Sequence, residues 1–522
     1  MATKAGRPGR LKGLQAREGQ ERAGERPVHG PCTFIVFGGT GDLARRKILP
    51  ALSRLRHGGL IDEDTTILAV ARDKGMDDRG FRDVVRQAVE DDGMAAKEIE
   101  DWVEKTIFYQ GIGGGTPEDF NAVAARIAQL EKDRGQPPNR IFYLALPPNV
   151  FPATIQGLGD AGLSHSTTGE GNGTKYWTRL VIEKPFGRDL QSAEALNQLI
   201  HKYFDESQVY RIDHYLGKET VQNLLVFRFA NSVFESLWNR DHVESVQVTV
   251  AEELGVEGRA GYYETAGAVR DILQNHGIQL ISLVAMEVPA MMTAEFIRQE
   301  KVKALRSIKS ITPKNVVLGQ YSHGEVAHGD ITRQMIPGYR EEPGVAPNSR
   351  TETFAAIKLE IDSWRWQGVP FFLRTGKRLK SRLTEIVVKF RKPPVWMFTP
   401  LGSPELHRNT LRLTIQPDEG FALYFHIKAP GKPLKLERLP LDFFYKERFQ
   451  ELPEAYQTLL LDVMEGDQTL FVHADEVEAA WRLFTPILDN TLAVSFYPAG
   501  SWGPKESDEL MQRNGQKWSN RE

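Results

Sequence analysis

The chain has 522 residues, of which 41% are apolar and 26% are charged, an ordinary balance for a globular protein of roughly two to four domains. Its 66 Lys and Arg and 69 Asp and Glu leave a net charge of −3, which argues against a nucleic-acid or membrane-surface protein. The single cysteine, Cys32, excludes an intrachain disulfide and a cysteine-based zinc site, and it fits a reducing compartment such as the cytoplasm.

Residues 1–30 differ in composition from the rest of the chain. They contain seven Lys or Arg and three Glu, and their only β-branched residues are Thr3 and Val28. This composition is typical of a disordered basic tail; an organelle presequence is the alternative, against which the three Glu count. The sequence has no run of about 18 apolar residues and no apolar stretch after its N-terminus, so we predict neither a membrane span nor a secretory signal.

Residues 31–212 alternate apolar runs with amphipathic segments. The runs TFIVFG, TTILAVA, TIFYQG, RIFYLALPP and TRLVIEKPFG predict strands. Helices are predicted for DLARRKILPALSRL, which Pro50 should bend, and for FRDVVRQAVEDD, PEDFNAVAARIAQLEKD and LQSAEALNQLIHKYF. Apolar strands separated by helices indicate a parallel sheet covered on both faces, so we predict an α/β Rossmann-type domain over 31–212. Within it, the Gly- and Thr-rich segment 166–174 predicts a surface loop.

From about residue 240 the pattern changes to alternating apolar and polar residues. VESVQVTV, FAAIKLEID, EIVVKF, LRLTI and ALYFHIK predict strands with one buried and one wet face. The segment YETAGAVRDILQNHGIQLISLVAME predicts one long helix. We therefore predict a larger α+β domain over 213–522, with a mostly antiparallel sheet and helices packed on one side.

A glycine-rich turn follows the first predicted strand. Gly39 to Ala44 fits the pattern G-x-G-x-x-A, in which glycines allow a tight turn and the close approach of a pyrophosphate to the helix N-terminus. With a strand before it and a helix after it, the turn predicts a dinucleotide site. The cofactor-binding residues are expected to be Gly38, Gly39, Thr40, Gly41, Asp42 and Leu43. A plain strand–helix turn is the alternative; the absence of a following Gly-Lys-Ser/Thr argues against a nucleotide triphosphatase.

The second strand ends in AVARDK, which bears on the choice of nucleotide. A carboxylate at the tip of this strand suits the ribose 2′-hydroxyl of NAD, whereas Arg72 would pair with the 2′-phosphate of NADP. Arg45 and Arg46 lie near the same end. We predict NADP; Asp73 keeps NAD open as the weaker alternative, and a solvated strand end is the other interpretation of Arg72.

Five motifs together resemble one enzyme family. GGTGDLARRK, EKPFGRDL, RIDHYLGKE, GRAGYYETAGAVRDILQNH and FFLRTGKRL, in this order, resemble the glucose-6-phosphate dehydrogenases over residues 31 to 500. The resemblance implies oxidation of glucose 6-phosphate at C1 to 6-phosphogluconolactone with hydride transfer to NADP⁺, the first oxidative step of the pentose phosphate pathway. It also implies a homodimer or homotetramer formed through the antiparallel sheet, and no metal.

The resemblance assigns roles to individual residues. His276 matches the base that takes the C1 hydroxyl proton, a task for which imidazole has a suitable pKa, and Asp213 matches the carboxylate that orients it. His214, Tyr215 and Lys218 match the residues that bind the substrate phosphate. Further substrate-binding positions match Lys184, which would also touch the cofactor, and Glu252, Asp271, Lys377, Arg382 and Gln416. If each residue is considered by itself, His276 could instead be a histidine of the hydrophobic core, and the charged residues could instead form ion pairs at the surface.

Some members of the family hold a second, structural NADP⁺ beside the sheet by means of basic side chains. The matching positions here are Leu383, Val387 and Thr414, none of which can pair with a phosphate. We therefore expect no second NADP⁺ of that kind.

Two other functions remain open from the sequence. A catalytically silent cofactor-binding protein would be expected to lack His276 or Asp213, and both are present. A Rossmann dehydrogenase for an unphosphorylated sugar would have no charge for Lys218 to pair with. Arg211 and Glu219, in the same RIDHYLGKE motif, have no predicted chemical role, and we expect structural roles for them.

Overall fold

The computed structural model describes residues 30–165, 175–328, 332–395, 397, 407–432, 434–449, 452–488 and 492–520. The predicted tail, apart from Gly30, and the predicted loop 166–174 lie outside these residues. Among the helices of the described residues, none combines the length and the apolar character needed to cross a bilayer.

Within the described residues, six parallel strands form the first sheet: β1 (Thr33–Phe37), β2 (Thr66–Ala71), β3 (Ile107–Gly111), β4 (Arg140–Leu144), β5 (Thr178–Glu183) and β6 (Val209–Ile212). Their order across the sheet is β3-β2-β1-β4-β5-β6. This is the strand order of doubly wound dinucleotide-binding domains, whose ligands lie outside the carboxyl ends of the strands. The predicted Rossmann-type sheet is confirmed.

The helices of this part are a π-helical segment (Ala44–Ile48), α1 (Leu49–His57), α2 (Asp78–Asp91), α3 (Ala96–Thr106), α4 (Pro117–Arg134), α5 (Phe151–Asp160) and α6 (Leu190–Tyr203). The regular helix α1 begins next to Pro50, whose ring lacks the N–H that would continue the preceding turns. α4 begins at Pro117, as predicted, behind a capping box in which Thr116 and Asp119 bond each other's backbone N–H groups. The helices α3 and α5 were not predicted.

The second sheet has nine strands in the described residues. They are β7 (Val243–Ala251), β8 (Val316–Ser322), β11 (Phe354–Glu360), β12 (Pro370–Gly376), β13 (Leu383–Phe390), β14 (Thr410–Gln416), β15 (Gly420–Lys428), β16 (Leu436–Phe444) and β17 (Val494–Pro498). β9 (Gly324–His328) and β10 (Thr332–Ile336) pair as a separate two-stranded antiparallel sheet.

The nine strands run in the order β16-β15-β14-β13-β7-β12-β11-β8-β17. Of the strand pairs that the structure describes in this sheet, only β12 with β7 and β17 with β8 are parallel, so the sheet is mostly antiparallel, as predicted. β8, β12, β16 and β17 were not predicted.

The predicted wet face is wrong for the middle of this sheet. β7 and β13 are buried almost throughout, because each face of the sheet is covered. Side chains such as Val248 and Ile386 pack with the helices on one face. On the other face, Phe372 packs with Met511 and Trp518 near the C-terminus. Polar residues at alternate strand positions are therefore covered by distant segments of the chain.

The remaining helices are α7 (Glu219–Phe229), α8 (Ser232–Leu237), α9 (Ala260–Ala268), a π-helical segment (Val269–Gly277), α10 (Ile278–Ala285), α11 (Ala294–Arg306), α12 (Tyr445–Arg448), α13 (Ala455–Glu465), α14 (Ala474–Leu488) and α15 (Lys505–Gln512). The single long helix predicted here is wrong, because α9 and the π-helical segment are separated by a kink at Gly267 with φ +65°. A Cβ at this position would lie 2.3 Å from an oxygen of Glu352, so only glycine fits.

Two C-terminal helices return to the first sheet. Leu459 and Leu460 of α13 are in one hydrophobic core with residues of β1 and β2. On α14, Trp481 donates a hydrogen bond from its indole nitrogen to the carbonyl of Phe186, at 2.8 Å. The first sheet is thus completed by residues from the far end of the sequence, and the division of the chain at residue 212 stays a prediction.

Candidate active site

Many of the predicted site residues lie at the ends of strands, and these strand ends from the two sheets face one another. Lys184 follows β5, and the segment from Asp213 to Lys218 follows β6. In the second sheet, Glu252 and Lys377 follow β7 and β12, which are parallel neighbours and therefore end together. Since β13 and β14 run antiparallel to each other, Gln416 at the end of β14 lies opposite Thr384 at the start of β13.

Asp213 and His276 form a buried pair. The carboxylate oxygen Oδ1 of Asp213 lies 2.5 Å from Nδ1 of His276, and it also accepts a 2.9 Å hydrogen bond from the backbone N–H of Tyr215. Both side chains are almost fully buried, at 2% and 1% exposure. His276 lies in the π-helical segment; such segments are frequent at functional sites.

The electrostatics of this pair favour an ionised carboxylate beside a neutral imidazole. Burial alone would raise the pKa of Asp213, but the positive charge that His276 carries when protonated, together with its hydrogen bond, outweighs burial and holds that pKa well below its usual range. Burial lowers the pKa of His276, Asp213 opposes that shift, and nearby Lys184 adds to it. Nδ1 is therefore the donor to Asp213, and Nε2 is left as the basic atom.

His214 and Tyr215 surround the imidazole of His276. The ring of Tyr215 stacks on that of His276 with centroids 4.2 Å apart, and the ring of His214 lies edge-on at 4.7 Å. Two effects lower the pKa of His214 well below its usual value. Burial is the larger, and the positive charge that His276 carries when protonated is the next. His214 is thus a neutral hydrogen-bonding group at neutral pH.

Lys218 stands at the N-terminus of α7 with its ammonium held by neutral groups. Its Nζ donates to Oε1 of Gln416 at 2.6 Å and lies 4.5 Å from the ring centroid of Tyr215. Arg382 reaches the same Gln416 oxygen at 3.4 Å. Burial lowers the pKa of Lys218 to about 8, which Glu419 opposes. Two cations and a helix N-terminus converge here, and this arrangement attracts anions.

A second cluster joins two lysines and two carboxylates. Lys184 donates to the backbone carbonyl of Asp271 at 3.0 Å and lies 3.4 Å from its carboxylate. Lys377, almost fully buried, donates to Glu252 at 2.7 Å and is 3.9 Å from Asp271. Burial would raise the pKa of Asp271, but Lys184 and Lys377 lower it. These groups offer charged donors and acceptors suited to sugar hydroxyls.

The glycine-rich turn has the shape that a bound dinucleotide requires. Gly38 has φ +80°, and a Cβ there would lie 2.3 Å from the carbonyl oxygen of Ala145. A Cβ on Gly39 would lie 2.6 Å from the Cβ of Ala69. The backbone N–H of Gly41 donates to the carbonyl of Gly38 at 2.8 Å. A Cβ on Gly41 would meet only that carbonyl oxygen, at 3.0 Å. The turn thus keeps the approach to the helix start free of side chains, and its residues fit a pyrophosphate.

The other predicted cofactor residues lie around this turn. Thr40 and Asp42, with Arg45 and Arg46, line a cleft of about 400 Å³. Asp42 forms an exposed ion pair with Arg46 at 2.7 Å. Leu43 packs against the core of the first sheet.

Arg72, at the end of β2, is exposed and has no ion pair in the described part of the chain. The carboxylate of the adjacent Asp73 instead accepts from the backbone N–H of Gly75 at 2.8 Å.

One group in the described residues has the spacing of metal ligands, namely Asp213, His214 and His276, whose ligand atoms lie within 4.8 Å of one another. Nδ1 of His276 and Oδ1 of Asp213 are already bonded to each other. We interpret the group as a hydrogen-bonded pair with a neighbouring histidine.

Arg211 and Glu219 lie away from these contacts. Arg211 is 1% exposed and donates to Glu206 at 2.6 Å and to Asn197 at 3.0 Å, which ties β6 to α6 and to the turn before β6. Glu219 is the first residue of α7, and burial raises its pKa.

Several residues of the site were not predicted. Thr384 accepts from the amide of Gln416 at 2.9 Å and lies 3.5 Å from the hydroxyl of Tyr215. Glu183, next to Lys184, accepts hydrogen bonds from the hydroxyls of Tyr143 at 2.5 Å and Tyr456 at 3.0 Å. Glu183 could have been predicted from the sequence, because it is a carboxylate at the end of an apolar strand. Tyr456 lies on α13, and no local pattern connects it with the site.

Comparisons with known proteins agree over most of the chain. Residues 35–223 match the family model described as the NAD binding domain of glucose-6-phosphate dehydrogenase, and residues 225–519 match its C-terminal domain. The chain belongs to the glucose-6-phosphate dehydrogenase family. It is therefore an oxidoreductase whose N-terminal domain takes a nicotinamide cofactor, and the predicted resemblance is confirmed.

Individual relatives of this family match over nearly their full length. A glucose-6-phosphate 1-dehydrogenase of Rhizobium meliloti is 43% identical over 504 residues, covering 94% of this chain and 98% of that protein. That of Aggregatibacter actinomycetemcomitans is 41% identical over 496 residues, covering 93% and 97%. A solved glucose-6-phosphate dehydrogenase in complex with its substrate glucose 6-phosphate has a TM-score of 0.84 at 33% identity, covering 94% and 99%.

Proposed function

We propose that the protein oxidises glucose 6-phosphate at C1 to 6-phosphogluconolactone with NADP⁺ as the oxidant. The observation that carries the proposal is the buried Asp213–His276 pair, next to an anion-attracting cluster around Lys218, at the edge where the strands of both sheets end. The choice of sugar is supported by the solved relative, which is in complex with glucose 6-phosphate as its substrate.

The phosphate end of the substrate would lie against Lys218. Its ammonium donates to a neutral amide, so it carries a charge without a carboxylate in hydrogen-bonding contact. Arg382, His214 and Tyr215 lie around it and would complete the phosphate site. A phosphate dianion would also favour the protonated form of Lys218, whose pKa burial has lowered.

The sugar ring would extend from that cluster toward His276. Lys184, Asp271, Glu252 and Lys377 present the donors and acceptors that would hold its hydroxyls. Nε2 of His276 would take the proton from the C1 hydroxyl as the hydride leaves C1. Asp213 would keep Nδ1 protonated and stabilise the imidazolium that forms.

The nicotinamide, when bound, supplies the hydride acceptor. Its dinucleotide would be held at the turn formed by Gly38, Gly39 and Gly41, with Lys184 between it and the sugar. Preference for NADP⁺ over NAD⁺ would come from Arg72, which is exposed at the end of β2 and has no acidic partner in the described residues.

We also propose a cytoplasmic homodimer or homotetramer associated through the second sheet. The edge strand β16 supports this, since Leu439 and Leu441 on it are 43% and 63% exposed. An edge strand with exposed apolar residues is a natural site of association.

The decisive experiment is an absorbance assay at 340 nm with four combinations: glucose 6-phosphate or glucose, each with NADP⁺ or NAD⁺. We expect rapid reduction with glucose 6-phosphate and NADP⁺, and at most slow reduction with glucose. Equal rates with the two sugars would contradict the phosphate site, and equal rates with the two nucleotides would contradict the role of Arg72.

A further inference from the structure

A strongly basic pocket of about 390 Å³ lies on the second sheet, away from the candidate active site. Its described lining comes from β13, β14 and β16, from Lys392, His407 and Arg408 between β13 and β14, and from the C-terminal residues Gly515, Gln516, Lys517 and Ser519. Six cationic side chains line it: Lys389, Lys392, Arg408, Arg412, Arg438 and Lys517.

The pocket occupies the face of the sheet opposite the helices. Lys389 is paired across the sheet with Ser245 and Thr410, and paired residues point to the same face. Ile386 and Val388, at the alternate positions of β13, pack into the core on the helix side. The pocket is therefore separated from the active site by the thickness of the sheet.

Among the described residues, the cations of this pocket outnumber the carboxylates that pair with them. Glu244 pairs with Arg408, and Glu385 pairs with Arg412 at 2.9 Å. The other four cations, Lys389, Lys392, Arg438 and Lys517, form no ion pair with a carboxylate of the described residues. Lys389 is half-buried, and Lys392, Arg438 and Lys517 are exposed around it. Four unpaired cations around one concave site create a positive potential that favours an anionic occupant.

The surroundings of Lys389 show the same excess of positive charge. Its ammonium is half-buried and donates to the backbone carbonyl of Lys517 at 2.7 Å. Burial, together with the charges of Arg408, Arg412 and Arg438, lowers its pKa to about 8, and Glu244 offsets this only in part. The cations of the pocket are thus close enough to repel one another.

The wall of the pocket is fixed by hydrogen bonds. The side chain of Gln516 bonds to Ser245 and to Glu244, each at 3.1 Å, and the backbone N–H of Ser519 donates to Gln247 at 2.9 Å. The C-terminal segment is therefore held against the sheet, and the cavity is a preformed site.

We propose that this pocket binds a small polyanion that carries two or more phosphate groups. Its volume is within the range of ligand pockets, about 300–1,000 Å³, and guanidinium and ammonium groups are the usual partners of phosphate. A single phosphate dianion would leave about two of the four unpaired cations without a counter-charge. Leu383, Val387 and Thr414, where some relatives hold a second NADP⁺, do not line this pocket.

The test is calorimetric titration of inorganic pyrophosphate into the full-length protein at low ionic strength and pH 8.5. Besides binding at the glycine-rich turn and at the cluster around Lys218, we expect one further site per chain, whose dissociation constant is at least tenfold weaker in the double variant Lys389→Met, Arg438→Met. The matched control is Lys105→Met, Lys132→Met, which removes two exposed lysines from the first domain and should leave binding unchanged. Lys218→Ala, at the active site, should weaken anion binding there and leave the dissociation constant of the further site unchanged.

A second readout follows from Lys389. Because a bound polyanion stabilises its protonated form, binding at pH 8.5 should take up a proton, so the heat should depend on the ionisation enthalpy of the buffer. The single variant Lys389→Met should take up fewer protons than the natural protein, whereas the protons that pyrophosphate itself exchanges at this pH are common to both. Titrations with ATP and with a sugar bisphosphate would then distinguish nucleotide from sugar ligands.

Three binding results would overturn the proposal. These are no pyrophosphate binding at millimolar concentration, equal weakening in the control pair, and undiminished binding in the pocket variant. Sedimentation velocity gives a fourth. If the pocket variant sediments as a monomer where the natural protein is an oligomer, the cations contact a second copy of the chain and the proposal is wrong.

Discussion

Nδ1 of His276 and Oδ1 of Asp213 lie 2.5 Å apart although 63 positions separate them in the sequence. Asp213 follows the last strand of the parallel sheet, and His276 belongs to a π-helical segment that packs on the second sheet. The pair therefore forms only when both parts of the chain are assembled, and it fixes the position of the base relative to the cofactor-binding edge.

Asp213→Asn is expected to lower kcat by on the order of 10²–10⁴-fold, because an amide does not hold Nδ1 of His276 protonated. The acid limb of the kcat/KM profile should also move to lower pH, since the charge of Asp213 raises the pKa of His276. Steady-state kinetics from pH 5 to 9 measure both effects. Asp241→Asn, at an exposed carboxylate, is the control; an unchanged acid limb in Asp213→Asn would remove the pair from this role.

Lys218→Ala should raise the KM for glucose 6-phosphate by on the order of 10–100-fold and leave the slow reaction with free glucose unaffected. The reason is that Lys218 would pair with the phosphate and not with the sugar ring. Parallel kinetics with the two sugars measure the difference, and Lys303→Ala, at an exposed helical lysine, serves as the control. Equal losses with both sugars would show that Lys218 does not bind phosphate.

The decrease of kcat/KM at alkaline pH should reflect the loss of the proton from Lys218 in the free enzyme. Burial lowers the pKa of Lys218 to about 8, so its charge is present below this pH and is lost as the pH rises through it. Lys218→Arg keeps the charge at all these pH values and should move the alkaline limb upward, with the acid limb unchanged. A profile that falls near pH 8 in both proteins would assign the limb to another group.

Arg72→Ala should weaken NADP⁺ binding by on the order of tenfold and leave NAD⁺ binding nearly unchanged, because only NADP⁺ has the 2′-phosphate. Fluorescence titration of the two nucleotides measures this without catalysis. Arg513→Ala, at an exposed arginine near the C-terminus, controls for the loss of one charge. The 2′-phosphate assignment fails if both nucleotides are weakened alike.

Local sequence patterns predicted the first sheet because its strands are continuous apolar runs and its turn needs glycine at Gly38. Local patterns did not predict the strand order or which residues meet at the site. The pairing of Asp213 with His276 was predicted only from the resemblance to the family. The wet face of the second sheet was wrongly predicted, because Trp518 and its neighbours cover it from the far end of the chain. Glu183 and its partner Tyr456 were missed for the same reason, since 273 positions separate them.

Glu183 leads to a prediction about stability. It is buried, and burial raises its pKa, although the hydroxyls of Tyr143 and Tyr456 and the charge of Lys184 oppose the shift. The folded protein therefore keeps this proton to higher pH than the unfolded chain does. As the pH rises through the ordinary Glu value toward the raised one, the unfolded chain ionises first and Glu183 increasingly destabilises the fold.

Glu183→Gln should remove this penalty, because a neutral amide oxygen can accept both tyrosine hydrogen bonds. At pH 5 the variant and the natural protein should differ by less than about 1 kcal/mol in the free energy of unfolding, the value of one typical hydrogen bond. The difference in melting temperature, variant minus natural protein, should then grow more positive from pH 5 to pH 8 in thermal-shift measurements. Glu118→Gln is the control, since hydrogen bonds at the start of α4 lower the pKa of that exposed carboxylate. Its effect on stability changes mainly below about pH 5, where the unfolded carboxyl is protonated, so its difference in melting temperature should stay nearly constant from pH 5 to pH 8. A variant of Glu183 that loses stability as the pH rises would mean that the ionised carboxylate stabilises the two tyrosines, contrary to the effect of burial.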